Sequence, residues 1–140
     1  MKILLAVDGS AFSKRMLAYL STHESLLSNS NSYTVFTSQP TLPPRARAAL
    51  GKEIVESYYA DQSEKVLAPV TKFLLRHGID AKSVWKVGPA GVTIAKIATD
   101  GKFDLVVMGS HGHGAVMNMV MGSVATQVLA HCKVPVLLVR

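Results

Sequence analysis

The stretch from Phe103 to His131 constrains the fold more than any other part of the chain. Phe103-Asp104-Leu105-Val106-Val107-Met108 is a strongly apolar run of strand length. Gly109 to Ser123 follows, reading Gly-Ser-His-Gly-His-Gly-Ala-Val-Met-Asn-Met-Val-Met-Gly-Ser. Val124 to His131 then has the composition of a helix. A buried strand that ends in a glycine-rich loop and feeds a helix is a way to cradle phosphate. Glycines let the backbone approach an anion with its N–H groups turned inward. The helix N-terminus adds unpaired donors and a partial positive charge. Ser123 stands where a helix N-cap or a phosphate-facing hydroxyl belongs. Two familiar phosphate motifs fail here. Ala115 and Val116 replace the Lys and Ser/Thr of a Walker A loop, and Met117 replaces the third glycine of a dinucleotide fingerprint. What remains is Gly-x2-Gly-x9-Gly-Ser, formed by Gly109, Gly112, Gly122 and Ser123. A plain flexible linker would be polar throughout. Ala115 to Met121 is mostly apolar, so this segment is expected to pack down.

The remaining chain alternates strands and helices. Lys2 to Val7 is a continuous apolar run, suited to a strand buried on both faces of a parallel sheet. Asp8-Gly9-Ser10 ends it, and Ser10 or Ser13 can cap the helix that follows. Phe12, Met16, Tyr19 or Leu20, and Leu26 or Leu27 give that helix its apolar face. Tyr33 to Ser38 is rich in β-branched and aromatic residues and reads as a second strand. Pro40, Pro43 and Pro44 make the next connection stiff and irregular, a mobile rim. Lys52 to His77 is helical, with Ile54, Tyr58, Val66, Val70, and Phe73 or Leu74 on one face and a kink or break expected at Pro69. Ala81 to Val87 alternates polar and apolar residues, as in a strand near a sheet edge. Val92 to Thr99 is a third helix, and Val134 to Val139 is the last strand. This order predicts one α/β domain over residues 1–140, a doubly wound parallel sheet with helices on both faces. Ligands of such sheets sit beyond the carboxyl ends of the strands, here at Asp8-Gly9-Ser10, Ser38-Gln39 and Gly109 onward.

Composition excludes several classes. No apolar run is long enough to span a bilayer, and the apolar N-terminus meets Asp8 too soon for a secretory leader, so a cytoplasmic protein without a membrane partner is expected. The single cysteine, Cys132, rules out a disulfide framework within the chain and reads as a packing residue. Net charge is +6, but the basic residues are spread out with no long run. That balance favours acidic ligands such as nucleotides, and nothing marks a nucleic-acid-binding stripe.

Four segments together resemble the universal stress protein family, in its ATP-binding, Gly-x2-Gly-x9-Gly-Ser branch. They are Ile-Leu-Leu-Ala-Val-Asp-Gly-Ser at the start, Lys-Val-Gly-Pro-Ala before the third helix, Asp104 to Gly112, and Gly122 to Ala125 continuing into Val134 to Val139. The resemblance implies five strands in the order 3-2-1-4-5, which sets Asp8 facing the glycine loop. It also implies that Gly109, Ser110, His111, Gly112, Gly122, Ser123 and Val124 hold the phosphates and ribose of ATP. Asp8 would lie near the ribose or a bound metal, and the chain around Thr37 and Ser38 would meet adenine through backbone atoms. Family members usually carry an aliphatic residue where Ser38 stands. Asp8 also reads as a simple turn residue capping the first helix.

The chemistry available is limited. Gly109 to Ala130 contains no Lys or Arg, so backbone donors, Ser123 and the helix dipole must hold the phosphates. Asp8 beside a triphosphate calls for Mg²⁺ or Mn²⁺ between them, held by Asp8 directly or through water. No acidic residue follows Asp104, and Walker lysine and arginine finger are both missing, so slow hydrolysis or none is expected. His111 and His113 lack the companions of a metal site and read as rim residues. Met108, Met117, Met119 and Met121 read as core filling. The last strand, with Val134, Val136 and Leu138 on one face and Leu137 and Val139 on the other, is an apolar edge that a homodimer would cover. The leading expectation is a homodimeric ATP-dependent stress-response switch acting on an unidentified protein partner. A slow ATPase or phosphotransferase and a nucleotide-free dimeric interaction module are the alternatives.

Overall fold

The computed structural model describes residues 1–116 and 118–140; Met117, counted above in the fingerprint comparison and the methionine cluster, lies outside them. Five parallel strands and five helices alternate in the described chain. They are β1 (Lys2–Ala6), α1 (Ala11–Ser21), β2 (Ser32–Gln39), α2 (Pro44–Leu50), α3 (Lys52–Arg76), β3 (Lys82–Val87), α4 (Ala90–Asp100), β4 (Leu105–Gly109), α5 (Ser123–His131) and β5 (Val136–Val139). The sheet order is β3-β2-β1-β4-β5, the order expected from the resemblance. β1 pairs with β2 at Ile3↔Tyr33 and with β4 at Ile3↔Leu105, so the first strand is the central one. β3 lies at an edge, as its alternation predicts.

Side-chain alternation along each strand divides the core between the two faces. Ile3, Leu5, Val35 and Val107 meet Met16 and Leu20 of α1 and Leu67, Val70 and Leu74 of α3. Leu4, Ala6, Phe36, Val106 and Met108 meet Ile94 and Ala98 of α4 and Ala125 and Val128 of α5. Strands buried this way read as unbroken apolar runs, which explains why β1 and β4 are conspicuous in the sequence.

Some local expectations fail for identifiable reasons. The proline-rich connection is irregular only as far as Pro43. Pro44 then starts α2, a short helix with no buried residue. Proline is well placed in a first helical turn, where its missing N–H has no intrahelical role. α3 runs unbroken through Pro69 for 25 residues. Pro69 and Lys65, whose carbonyl it leaves without an intrahelical donor, are both exposed, so water can satisfy the lost bond. The buried face of α3 is Val55, Tyr59, Ser63, Leu67, Val70 and Leu74, while Ile54 and Tyr58 are exposed. Ile54-Val55 and Tyr58-Tyr59 are adjacent apolar pairs, and periodicity alone cannot choose between faces one residue apart. β5 begins at Val136; Val134 and Pro135 lead into it. Val134, Val136 and Leu138 are half-buried against the core on the α4–α5 side, so what β5 leaves open is its backbone edge rather than that face.

Candidate functional site

The strand order reverses at β1, which has β2 on one side and β4 on the other, and beyond the carboxyl ends of β1 and β4 lies a cleft of about 360 Å³. This is the switch point at which open α/β sheets bind ligands. One end of the cleft is apolar, walled by Phe36, Ala90, Ile94, Met108 and Ala125. The polar part of the lining has Asp8 bonded to Ser13 and set against Gly112, and it includes Ser123 at the start of α5. An amphipathic ligand with one flat apolar part and one anionic part matches that division.

Asp8 is both a turn residue and a cleft residue. Its Oδ1 accepts from the Ser10 N–H at 2.9 Å and from the Ser13 hydroxyl at 2.9 Å. The Ser13 hydroxyl also accepts from the Asp8 N–H at 3.1 Å. Ser10 caps α1, its hydroxyl accepting from the Ser13 N–H at 3.4 Å. The carboxylate is thus fixed by the same turn that starts the helix. Its other oxygen, Oδ2, lies against the glycine loop, 2.5 Å from where a Cβ at Gly112 would stand. Gly112 is required by space, not by backbone conformation.

The other motif glycines also lie where the chain comes close to itself. A Cβ at Gly109 would stand 2.7 Å from Phe12 Cβ, because α1 packs directly on the end of β4. A Cβ at Gly122 would stand 3.3 Å from the His111 Cα. The Gly122 N–H donates to the Ser110 carbonyl at 2.7 Å and closes the neck of the loop. Gly122 is the N-cap of α5 and Ser123 its first residue, so the helix starts one residue earlier than its composition suggested. No side chain caps α5. The N–H groups of its first turn, at Ser123 and Val124, therefore have no intrahelical acceptor and sit at the cleft wall.

Of the residues expected at the site, Asp8, Ser38, Gly109, His111, Gly112, Gly122, Ser123 and Val124 line the cleft. Ser110 does not. It is buried, its N–H donates to the Val139 carbonyl at 2.8 Å, and its hydroxyl bonds His111 Nδ1 at 2.9 Å. Ser110 joins the loop to β5 and to His111 instead of facing a ligand. Ser38 lies at the apolar end, its hydroxyl donating to the Gly88 carbonyl at 2.7 Å.

The histidines fasten the loop. His111 Nε2 bonds the Met119 carbonyl at 3.0 Å, and His113 Nε2 bonds the Asp8 carbonyl at 2.8 Å. A carbonyl only accepts, so both rings carry their proton on Nε2. His111 Nδ1 then accepts from the Ser110 hydroxyl in the neutral ring, and the ring also packs on Phe12. Among the described residues no group of three or more His, Cys, Asp or Glu is placed to hold a metal. Any cation here would depend on oxygens supplied by a ligand, with Asp8 as the available carboxylate.

The apolar loop does not pack down as expected. Val116, Met119 and Val120 are 52%, 51% and 77% exposed. Among the described residues of this segment, Met121 packs against the α4–α5 core. With the α4–α5 side of the core already filled by α5, the described tip residues stay at the surface, where Ala115, Val116 and Met119 line the cleft.

Sequence reading missed Ser13 as the residue that orients Asp8. Its signal is a second serine five positions after the aspartate, the distance from a strand end to the first helical turn. Ala90 and Ile94 were also missed, because only the fold brings the start of α4 to this edge.

Known proteins of this kind are similar along the whole chain. A universal stress protein of Synechocystis sp. is 32% identical over 139 residues, covering 99% of this chain and 42% of the relative. A universal stress protein of Thermus aquaticus is 30% identical, covering 99% of this chain and 97% of the relative. This chain therefore spans less than half of the cyanobacterial relative and nearly all of the Thermus one. Among solved structures, protein MJ0577 of Methanocaldococcus jannaschii superposes with a TM-score of 0.81 at 23% identity, covering 99% of this chain and 94% of that one. A universal stress protein of Archaeoglobus fulgidus in complex with dAMP gives 0.71 at 18% identity, with 100% and 98% coverage. An Arabidopsis thaliana member with AMP bound gives 0.71 at 13% identity, with 99% and 90% coverage. No helix of the described chain is long and apolar enough to cross a membrane. The sequence model of the universal stress protein family matches residues 1–140, and the chain belongs to that family.

Proposed function

We propose that this chain is an ATP-binding universal stress protein, a homodimeric switch that holds ATP with Mg²⁺ and turns it over slowly or not at all. The observation that carries this is the division of the cleft, apolar beneath Phe36 and Ile94 and lined by N–H donors at the glycine loop and α5. Adenine suits the first part and phosphates the second. Structural neighbours that hold AMP and dAMP support a nucleotide as the ligand class.

Gly112, Ser123 and Val124 would meet the phosphates through backbone N–H groups and the Ser123 hydroxyl, while the Gly122 N–H, bonded to the Ser110 carbonyl, holds the loop neck closed beside them. Each hydrogen bond to a charged group contributes roughly 1.5–3 kcal/mol, so several support micromolar affinity without a lysine. Mg²⁺ would neutralise phosphate charge facing Asp8, whose Oδ2 lies against the loop. One carboxylate together with phosphate oxygens is a normal Mg²⁺ environment. Hydrolysis needs a group to orient water, and this site has few to spare. Asp8 Oδ1 already accepts two hydrogen bonds, and both histidine Nε2 atoms are bonded to carbonyls. Steady holding of the nucleotide follows from that inventory.

Calorimetric titration of nucleotide-free protein with Mg-ATP tests this. Micromolar binding is expected for the wild type and its loss for Gly122→Val, with the variant's circular dichroism unchanged. Absence of heat from folded, nucleotide-free wild type overturns the proposal.

A further inference from the structure

The Ser38 hydroxyl has its one hydrogen already engaged. It donates to the Gly88 carbonyl at 2.7 Å, across the turn between β3 and α4. The same turn is held from the other side, where the Gly88 N–H donates to the Gln39 carbonyl at 2.9 Å. A hydroxyl has one hydrogen to give and two lone pairs to offer. With the hydrogen directed at Gly88, the oxygen presents only acceptor capacity to anything else that reaches it.

Its location gives this one-sidedness a use. Strand alternation puts Ser38 on the same face of β2 as Phe36, toward α4. Ser38 and Phe36 line the apolar end of the cleft with Ala90 and Ile94. Thr37, the neighbouring hydroxyl residue, also lines the cleft but from the opposite strand face, away from Phe36 and Ile94. An aliphatic side chain at position 38 would offer packing alone. Serine instead sets an oriented acceptor among the apolar side chains of Phe36, Ala90 and Ile94 on its own face, where a mismatched polar partner is costly.

We propose that Ser38 selects the nucleobase, accepting a hydrogen bond from the exocyclic amino group at purine C6, with Gly88 fixing the hydroxyl in its accepting orientation. This rests on the nucleotide reading above and extends it from ligand class to base identity. A 6-amino purine brings an N–H to the Ser38 oxygen. A 6-oxo purine brings lone pairs against lone pairs. Either the mismatch stays, or the hydroxyl turns and leaves the Gly88 carbonyl without its donor. A site built to pair a polar group penalises a ligand lacking the complement more than an apolar pocket does.

The test is titration of wild type and Ser38→Ala with the Mg²⁺ complexes of ATP, GTP and purine riboside triphosphate, which lacks the 6-amino group. The wild type is expected to bind ATP about tenfold more tightly than purine riboside triphosphate, and GTP more weakly still. Ser38→Ala is expected to lose ATP affinity while its affinity for purine riboside triphosphate stays within about twofold, so the preference nearly disappears. A merely structural role, through the lost bond to Gly88, would weaken both ligands by the same factor and would overturn the proposal. Equal affinity of the wild type for ATP and purine riboside triphosphate overturns it without any variant. Binding of no nucleotide by the wild type removes the site reading itself and this inference with it.

Discussion

Asp8 and Gly112 are the residues on which the polar end of the cleft depends. Asp8 cannot swing away from the loop without giving up its bonds from Ser10 and Ser13. A methyl group at position 112 would stand 2.5 Å from its free oxygen. Gly112→Ala is therefore expected to cost about 1–3 kcal/mol of stability, as overpacking does, and to weaken Mg-ATP binding as well. A denaturation midpoint equal to that of the wild type would show that the loop yields freely and that the contact is not tight. At this scale the glycine spacing was legible because each glycine of the motif answers a close approach that is fixed in space. The functions of Ser110 and Ser13 were not legible. A serine in the motif and a serine in a helix turn look alike in sequence, and only the three-dimensional neighbours place Ser110 under β5 and Ser13 on Asp8.

Among the elements, α3 carries an avoidable defect. Its 25 residues pass through Pro69 without interruption, on the exposed side of the helix. Proline in a helix interior costs up to about 3 kcal/mol relative to alanine, partly offset because it also restricts the unfolded chain. Pro69→Ala is expected to raise stability by about 1–2 kcal/mol, seen as a higher melting temperature with nucleotide affinity unchanged. A lowered melting temperature would mean that the proline ring packs usefully. Strands β1 and β4 were readable because burial on both faces leaves them apolar apart from the exposed Lys2 that opens β1. The buried face of α3 was not, because Ile54-Val55 and Tyr58-Tyr59 satisfy the helical period in either phase. α2 was hidden for the opposite reason: a helix that buries nothing writes no apolar pattern.

For the molecule as a whole, β5 ends the sheet with an open edge. The carbonyls of Pro135 and Val139 face β4, accepting from the N–H groups of Val106 and Ser110. By alternation, the backbone groups of Val136 and Leu138 point outward, available to a second copy. Light scattering is expected to give twice the 15.0 kDa chain mass. Leu138→Pro removes an outward N–H, spares the bonds to β4, and is expected to give a folded monomer. A dimer that persists in this variant would place the contact elsewhere.

The central position of β1 also bears on how the protein is made. Of the five strands described, β1 is synthesised before the others, and its Ile3, Leu4 and Leu5 become fully buried. One neighbour, β2, follows within a few tens of residues, but the other, β4, begins only at Leu105. A ribosome adding about 5–20 residues per second needs roughly 5–20 s to cover that distance. Throughout this interval the nascent chain exposes one edge of its most apolar strand. Pauses in translation between β3 and β4 lengthen that exposure, and a message broken before the Leu105 codon releases a fragment whose central strand has only one of its two neighbours. Such fragments are natural clients for holdase chaperones, and the protein's yield in a cell depends on the pace of its own translation as well as on its final stability.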